Sequence, residues 1–336
     1  MENLMNIKSS LFGFALVLVA VPLVYANLPV FTKSFISPQQ SVERNRAELI
    51  KHASLASLAS YNQIEEIIPY SSPKRGVADV ALSGNARKIM HGLGENVYTF
   101  GANDMADAGL ISVNTSYDKV QITIAFHGTE SNADLIADAK FFKQQNKVLS
   151  KTGSIHGGFN ERYMAIRSSL MNKLMLVMEH NNLKVEDVEF VITGHSLGGA
   201  LATLAALDIR LNVLKENEGK LKLVTFSSPR TLDVAGAAEF ELVVGEGQAL
   251  RIWIDKDPIV AGLSNTLFGL KHVGLSIKLE SDSYILNMKN HKLTTILELA
   301  YKQEDVNFVE KQVGVKDSMY NAARSFFAST ITRFGW

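Results

Sequence analysis

The sequence predicts an α/β fold, with a mostly parallel central sheet and helices packed on both of its faces. Three observations lead there. Short runs rich in β-branched and aromatic residues recur at 97–100, 109–113, 119–126, 188–193, 221–227, 249–254 and 272–279. Stretches with apolar residues at helical spacing fall between or beside them, at 41–61, 162–180, 197–211 and 290–301. Strands that alternate with helices need crossover connections, and crossovers favour parallel neighbours.

Each element has its own local reason. The apolar run Leu11 to Val21 is broken by Pro22 and followed by Val24-Tyr25-Ala26. It reads as a secretory signal peptide over 1–26, cut after Ala26, which would make the protein secreted or part of the cell envelope. An uncleaved membrane anchor is the other reading of the same run. Residues 27–40, with Pro29 and Pro38, read as a linker. Ser41 is the expected N-cap of a helix that reaches Tyr61, with Leu49, Ile50, Leu55 and Leu58 on its apolar side. That helix opens a single domain over 41–310. Asn114 to Asp118 supplies turn residues between two strands. Ile166, Leu170, Leu174 and Val177 give the helix 162–180 its buried stripe. Residues 311–336 form a C-terminal amphipathic segment, in which Phe326, Phe327, Phe334 and Trp336 mix with Lys316, Arg324 and Arg333. Residues 315–336 have two readings, packing on the domain, which is the favoured one, or lying on a membrane surface; 11–25 is the other segment through which membrane contact is open.

Composition limits the chemistry. The chain has 336 residues, with 34 Lys and Arg balanced by 34 Asp and Glu. Zero net charge argues against a nucleic-acid partner. The absence of cysteine rules out a disulfide framework, a thiolate metal site and a cysteine nucleophile. The eight histidines show no metal-ligand spacing, so chemistry without metal or cofactor is expected.

The motif that carries chemistry is Gly194-His195-Ser196-Leu197-Gly198. Val188 to Thr193 before it reads as a buried strand, and the Ala- and Leu-rich stretch after it as a buried helix. Strand, sharp turn at serine, and helix make the nucleophile elbow of α/β-hydrolases. The flanking glycines let strand and helix close together, and the helix N-terminus directs N–H groups, that of Leu197 first, toward a developing oxyanion. A serine hydroxyl needs a base to take its proton and an acid to orient that base. In this fold the acid and then the base follow the serine along the chain, each after a strand. Asp255 and Asp257 both follow the strand 249–254, and His272 and His291 are the histidines beyond them. The residues alone leave two acids and two bases.

Five segments in order resemble the class 3, fungal-type lipase family. They are Ile124-Ala125-Phe126-His127-Gly128-Thr129, Ile155-His156-Gly157-Gly158-Phe159, the elbow itself, Thr225-Phe226-Ser227-Ser228-Pro229-Arg230, and Asp257-Pro258-Ile259-Val260. The resemblance implies Asp257 as the acid, because it directly precedes Pro-Ile-Val, and His291 as the base, because it opens His-x-Leu. It implies Thr129 as a second oxyanion donor beside Leu197, although His127 stands where the family commonly has Arg. Residues 131–142, with Leu135, Ile136, Phe141 and Phe142 as their apolar members, stand where the family carries a lid, and two readings stay open, an amphipathic lid or a core-facing helix start. His195 and His156 are expected to be structural. The expected activity is hydrolysis of carboxylic esters of acylglycerols or phospholipids, through Ser196, Asp257 and His291 and an acyl-enzyme. The alternatives are a phospholipase A or acyltransferase on the same residues, or a catalytically silent, membrane-attached binding protein.

Overall fold

The computed structural model describes residues 38–61, 66–69, 78–81, 96–101, 108–115, 119–128, 142–214, 221–261, 269–281, 284–293 and 295–296. The expected signal peptide, the lid residues 131–141, Thr129 and the C-terminal segment 311–336 lie outside them. The chain divides into two compact units, 1–46 and 47–336. The described part of the first is the opening of helix α1 (Pro38–Tyr61). That helix starts a turn earlier than Ser41, inside the span read as linker. Proline suits a first helical turn, where its missing N–H would have had no intrahelical acceptor.

The second unit is built on a seven-stranded sheet. Its strands are β3 (Asn96–Phe100), β4 (Gly109–Asn114), β5 (Val120–Phe126), β8 (Val188–His195), β9 (Leu221–Phe226), β11 (Ala249–Ile254) and β13 (Leu275–Leu279). β1 (Glu66–Pro69) and β2 (Ala78–Ala81) form a separate antiparallel pair. The order across the large sheet is β13-β11-β9-β8-β5-β4-β3. The pairs from β5 through β8, β9 and β11 to β13 are parallel, and β4 is antiparallel to both β3 and β5. The mostly parallel sheet expected from the sequence is therefore present.

Helices cover both faces. β8 shows the division, because side chains alternate along a strand. Phe190 and Ile192 join the core shared with α2 (Gly157–His180) and α3 (Leu197–Asp208), whereas Val191 joins Ile50 and Ala53 of α1 in the opposite core. Every residue of α3 is buried, which is why its sequence lacks a polar stripe. A π-helical turn (Ile209–Leu214) continues it. α4 (Val234–Val244) and the short α5 (Pro258–Ala261) follow β10 (Leu232–Asp233) and β11.

Four elements differ from the sequence reading, three of them for a plain physical cause. α2 begins at Gly157, five residues before the expected start, where no apolar stripe had yet formed. The expected strand 272–279 is split: β12 (Leu270–Lys271) joins a four-stranded sheet of order β12-β10-β7-β6, and only 275–279 reaches the large sheet. Gly274, at φ +79°, makes the turn between them. β6 (Lys143–Gln145), β7 (Ser154–His156) and β10 are two or three residues long, too short to show a period of two. The late helix opens as a 3₁₀ turn (Met288–His291).

Register sets the position of the site. Gly194 pairs with Phe126 on one side and Thr225 on the other, and Phe226 pairs with Ile252. The C-terminal ends of β5, β8, β9 and β11 thus form one edge, the edge from which ligands are reached in open parallel sheets.

Candidate active site

Ser196 is the single residue between β8 and α3. Its backbone sits at φ 57°, ψ −126°, a conformation that L-residues rarely adopt. The surroundings hold it there: its N–H donates to the Phe226 carbonyl at 2.9 Å. Gly194 and Gly198 are required by close approach. A Cβ on Gly194 would stand 2.2 Å from the Gly198 oxygen, and one on Gly198 would stand 2.3 Å from the Phe126 oxygen. Both obstacles are backbone, which cannot rotate aside.

The base arrives from the other end of the unit. After β13 the chain is tied to the loop behind β11: the Asn287 N–H donates to the Lys256 carbonyl at 3.0 Å, and the Asn290 amide donates to the Asp255 carbonyl at 2.6 Å. The Asn287 side chain caps the 3₁₀ turn by accepting from the Lys289 N–H. That turn presents His291, whose Nε2 lies 2.8 Å from Ser196 Oγ and whose Nδ1 lies 3.0 Å and 3.1 Å from Oδ2 and Oδ1 of Asp257. Asp257 is fully buried, and its Oδ1 accepts the N–H of Ile259 at 2.9 Å. A carboxylate can only accept, so His291 carries its proton on Nδ1 and offers the Nε2 lone pair to the serine hydroxyl.

Of the two acids that the sequence left open, Asp257 reaches His291. Asp255 forms an ion pair with Lys256 at 3.5 Å at the surface. Of the two late histidines, His291 reaches Ser196. His272 lies at the end of β12 and its Nε2 has no partner. Leu197 is the first residue of α3, so its N–H has no acceptor within the helix and stands beside Ser196. Thr129 follows the last described residue of its segment, Gly128.

The structure adds one contact that no sequence pattern signalled. Tyr61, at the end of α1, places its hydroxyl 2.8 Å from His195 Nδ1, and His195 Nε2 lies 2.6 Å from the His291 backbone carbonyl. The carbonyl must accept, so Nε2 bears the hydrogen and Nδ1 accepts from Tyr61. Burial, with the neighbouring His291 second, pushes the His195 imidazole down to about 3, so it stays neutral. His195 thus holds the backbone of the candidate base. His195→Phe removes both hydrogen bonds and strands a buried carbonyl; a loss of about 1–3 kcal/mol is expected in urea unfolding. His156 has a structural position, stacked on Phe159 with ring centroids 4.1 Å apart.

The chain is similar to known lipases in sequence and in structure. The family model described as Lipase (class 3) matches residues 123–265. The secreted mono- and diacylglycerol lipase A of Penicillium cyclopium is 29% identical over 212 residues, which are 63% of this chain and 62% of that protein. The matched stretch therefore spans less than two thirds of that relative. Phospholipase A1-Igamma2, chloroplastic, of Arabidopsis thaliana is 30% identical over 164 residues, 41% of this chain and 31% of that protein. Among solved structures, a lipase from Rhizopus microsporus var. chinensis superposes with a TM-score of 0.54 at 18% identity, covering 76% of this chain and 84% of that one. The fold is that of the α/β-hydrolases. The matched stretch 123–265, which holds the serine elbow on this sheet, is similar to the class 3 lipase family.

Proposed function

We propose that the protein is a serine carboxylic-ester hydrolase, a lipase that acts on acylglycerols or phospholipids. The observation that carries this reading is the continuous hydrogen-bonded chain from Ser196 Oγ through His291 to Asp257. In the proposed reaction Ser196 Oγ attacks the acyl carbonyl while His291 Nε2 takes its proton. The Leu197 N–H, with Thr129 as second donor, stabilises the oxyanion. His291 then returns the proton to the departing alcohol, leaving an acyl-serine. Water, deprotonated by the same imidazole, releases the carboxylic acid and restores the serine. Asp257 keeps the imidazole in the working tautomer and stabilises its cation.

The relatives support the substrate class, since one is named for mono- and diacylglycerols and the other for phospholipids. Tyr284-Ile285-Leu286, exposed by 97%, 75% and 55%, precede the turn that presents His291 and favour a lipid surface as the place of work. Export is part of the proposal, resting on the apolar leader and on the word secreted in the name of the Penicillium relative.

A fluorophosphonate probe tests it. Stoichiometric labelling at Ser196, with parallel loss of hydrolysis on a panel of short-chain, long-chain and phospholipid esters, is the expected result. A folded protein that neither reacts with the probe nor cleaves any of the esters would instead favour a silent binding protein.

A further inference from the structure

The parts of the candidate site arrive on three separate stretches of chain. Ser196 and the Leu197 N–H sit on the elbow, and His291 sits on a 3₁₀ turn 95 residues later. His127-Gly128 leads from the end of β5 toward Thr129. A nucleophile, its base and its oxyanion donors work together only when each is held within about 0.5 Å of its productive place.

Tyr61, the last residue of α1, reaches all three stretches. Its hydroxyl donates to His195 Nδ1 at 2.8 Å, and His195 donates in turn from Nε2 to the His291 carbonyl at 2.6 Å. The Tyr61 ring lies 4.6 Å from the His127 ring, centroid to centroid. The hydroxyl also lies hard against Gly128. A Cβ there would stand 1.9 Å from Tyr61 Oη and 2.7 Å from the His195 carbonyl oxygen. The end of β5, the elbow and the base thus close around one side chain.

Helix α1 is itself pinned along the strands. His52 Nε2 lies 2.7 Å from Thr123 Oγ1 of β5, Ser57 Oγ lies 3.0 Å from Thr193 Oγ1 of β8, and Ser60 Oγ lies 3.3 Å from the Phe126 carbonyl. Apolar packing has no direction and would leave the helix free to slide, whereas hydrogen bonds fix its register and with it the place of Tyr61.

We infer that Tyr61 is a positioning residue for the ester hydrolysis proposed for this chain. Through His195 it holds the backbone of His291, and through its ring and hydroxyl it holds the His127-Gly128 approach to Thr129. Base and oxyanion donors thereby keep their spacing about Ser196. Tyr61 acts through these neighbours and on no reacting atom, so its loss falls on the chemical step and not on substrate binding. The inference rests on Ser196, His291 and Asp257 being the working triad.

The test compares Tyr61→Phe and Tyr61→Leu with the unaltered full chain, well below the Tm of each, with active sites counted by complete fluorophosphonate labelling at Ser196. Phenylalanine keeps a ring beside His127 and removes the hydroxyl, and kcat per labelled site is expected to fall about 10-fold. Leucine removes the ring as well, and the expected fall is about 100-fold, the scale of a misplacement near 1 Å. KM should stay within about twofold in both variants. With His195→Phe in place the hydroxyl has no nitrogen to meet, so adding Tyr61→Phe should lower kcat no further. A purely structural tyrosine would lower Tm and leave kcat per labelled site within about twofold. That result overturns the inference, as does a double variant whose loss is the product of the two single losses. Normal labelling of the unaltered protein with an unchanged kcat in Tyr61→Phe removes the inference alone. A folded, unaltered protein that does not label at Ser196 removes the triad and the inference together.

Discussion

Ser196→Ala is expected to lower kcat for ester hydrolysis by about 10⁴- to 10⁶-fold, with the protein still folded. The substitution removes one oxygen and keeps the Cβ, so the backbone at φ 57° is no more strained by alanine than by serine. The Ser196 N–H remains bonded to Phe226, and Gly194 and Gly198 still allow strand and helix to meet. The lost hydrogen bond leaves His291 Nε2 without its partner in a buried place, so a stability loss of about 1–3 kcal/mol is expected. KM should change little, because the acyl chain and the alcohol are bound by other groups. Residual hydrolysis above the uncatalysed rate is expected, since the Leu197 N–H still meets a developing oxyanion when water attacks. Activity within tenfold of the unaltered enzyme, in a preparation freed of other esterases, would remove Ser196 from the nucleophile's role.

The elbow was readable from the chain because each of its requirements leaves a mark in the sequence. A buried strand needs β-branched residues, the close approach needs glycine on both sides of the serine, and a fully buried helix needs Ala and Leu throughout. The acid and base were narrowed by chain order, since both follow strands that announce themselves. Choosing between Asp255 and Asp257 required the family resemblance or the fold, because two acids two residues apart differ only in where the turn aims them. Tyr61 left no mark at all. Its hydroxyl meets His195 through a separation of 134 residues, and nothing local distinguishes it from any tyrosine at a helix end. The same holds for the helix–helix contact of Asp208, which receives Tyr163 and Arg167 from a different helix at 2.7 Å each. Arg251 was hidden for another reason. In a strand with half-buried places at Arg251 and Trp253, an arginine reads as a surface residue although its Nε and Nη1 are buried. Local sequence reports period and turn chemistry; it does not report which distant element closes over a side chain.

Asp257→Asn is expected to cost about 10⁴-fold in kcat, with KM and fold retained. The asparagine keeps an oxygen that can accept the Ile259 N–H now received by Oδ1 at 2.9 Å, so the turn after β11 survives. Its other atom becomes an NH₂ donor facing His291 Nδ1. Two donors cannot meet there, so the imidazole moves its hydrogen to Nε2. That nitrogen then points a hydrogen at Ser196 Oγ, 2.8 Å away, where a lone pair was needed. The base is blocked by its tautomer although every heavy atom keeps its place. Asp255→Asn is the matching control. Its carboxylate meets only Lys256 at the surface, an ion pair worth at most about 1 kcal/mol, and kcat should stay within about twofold. The two variants lie two positions apart in the three-residue loop between β11 and α5, and differ by about four orders of magnitude in expected rate. If Asp255→Asn were the crippled one, the acid would be misassigned. If both were crippled alike, the loop's shape rather than the carboxylate of Asp257 would control His291.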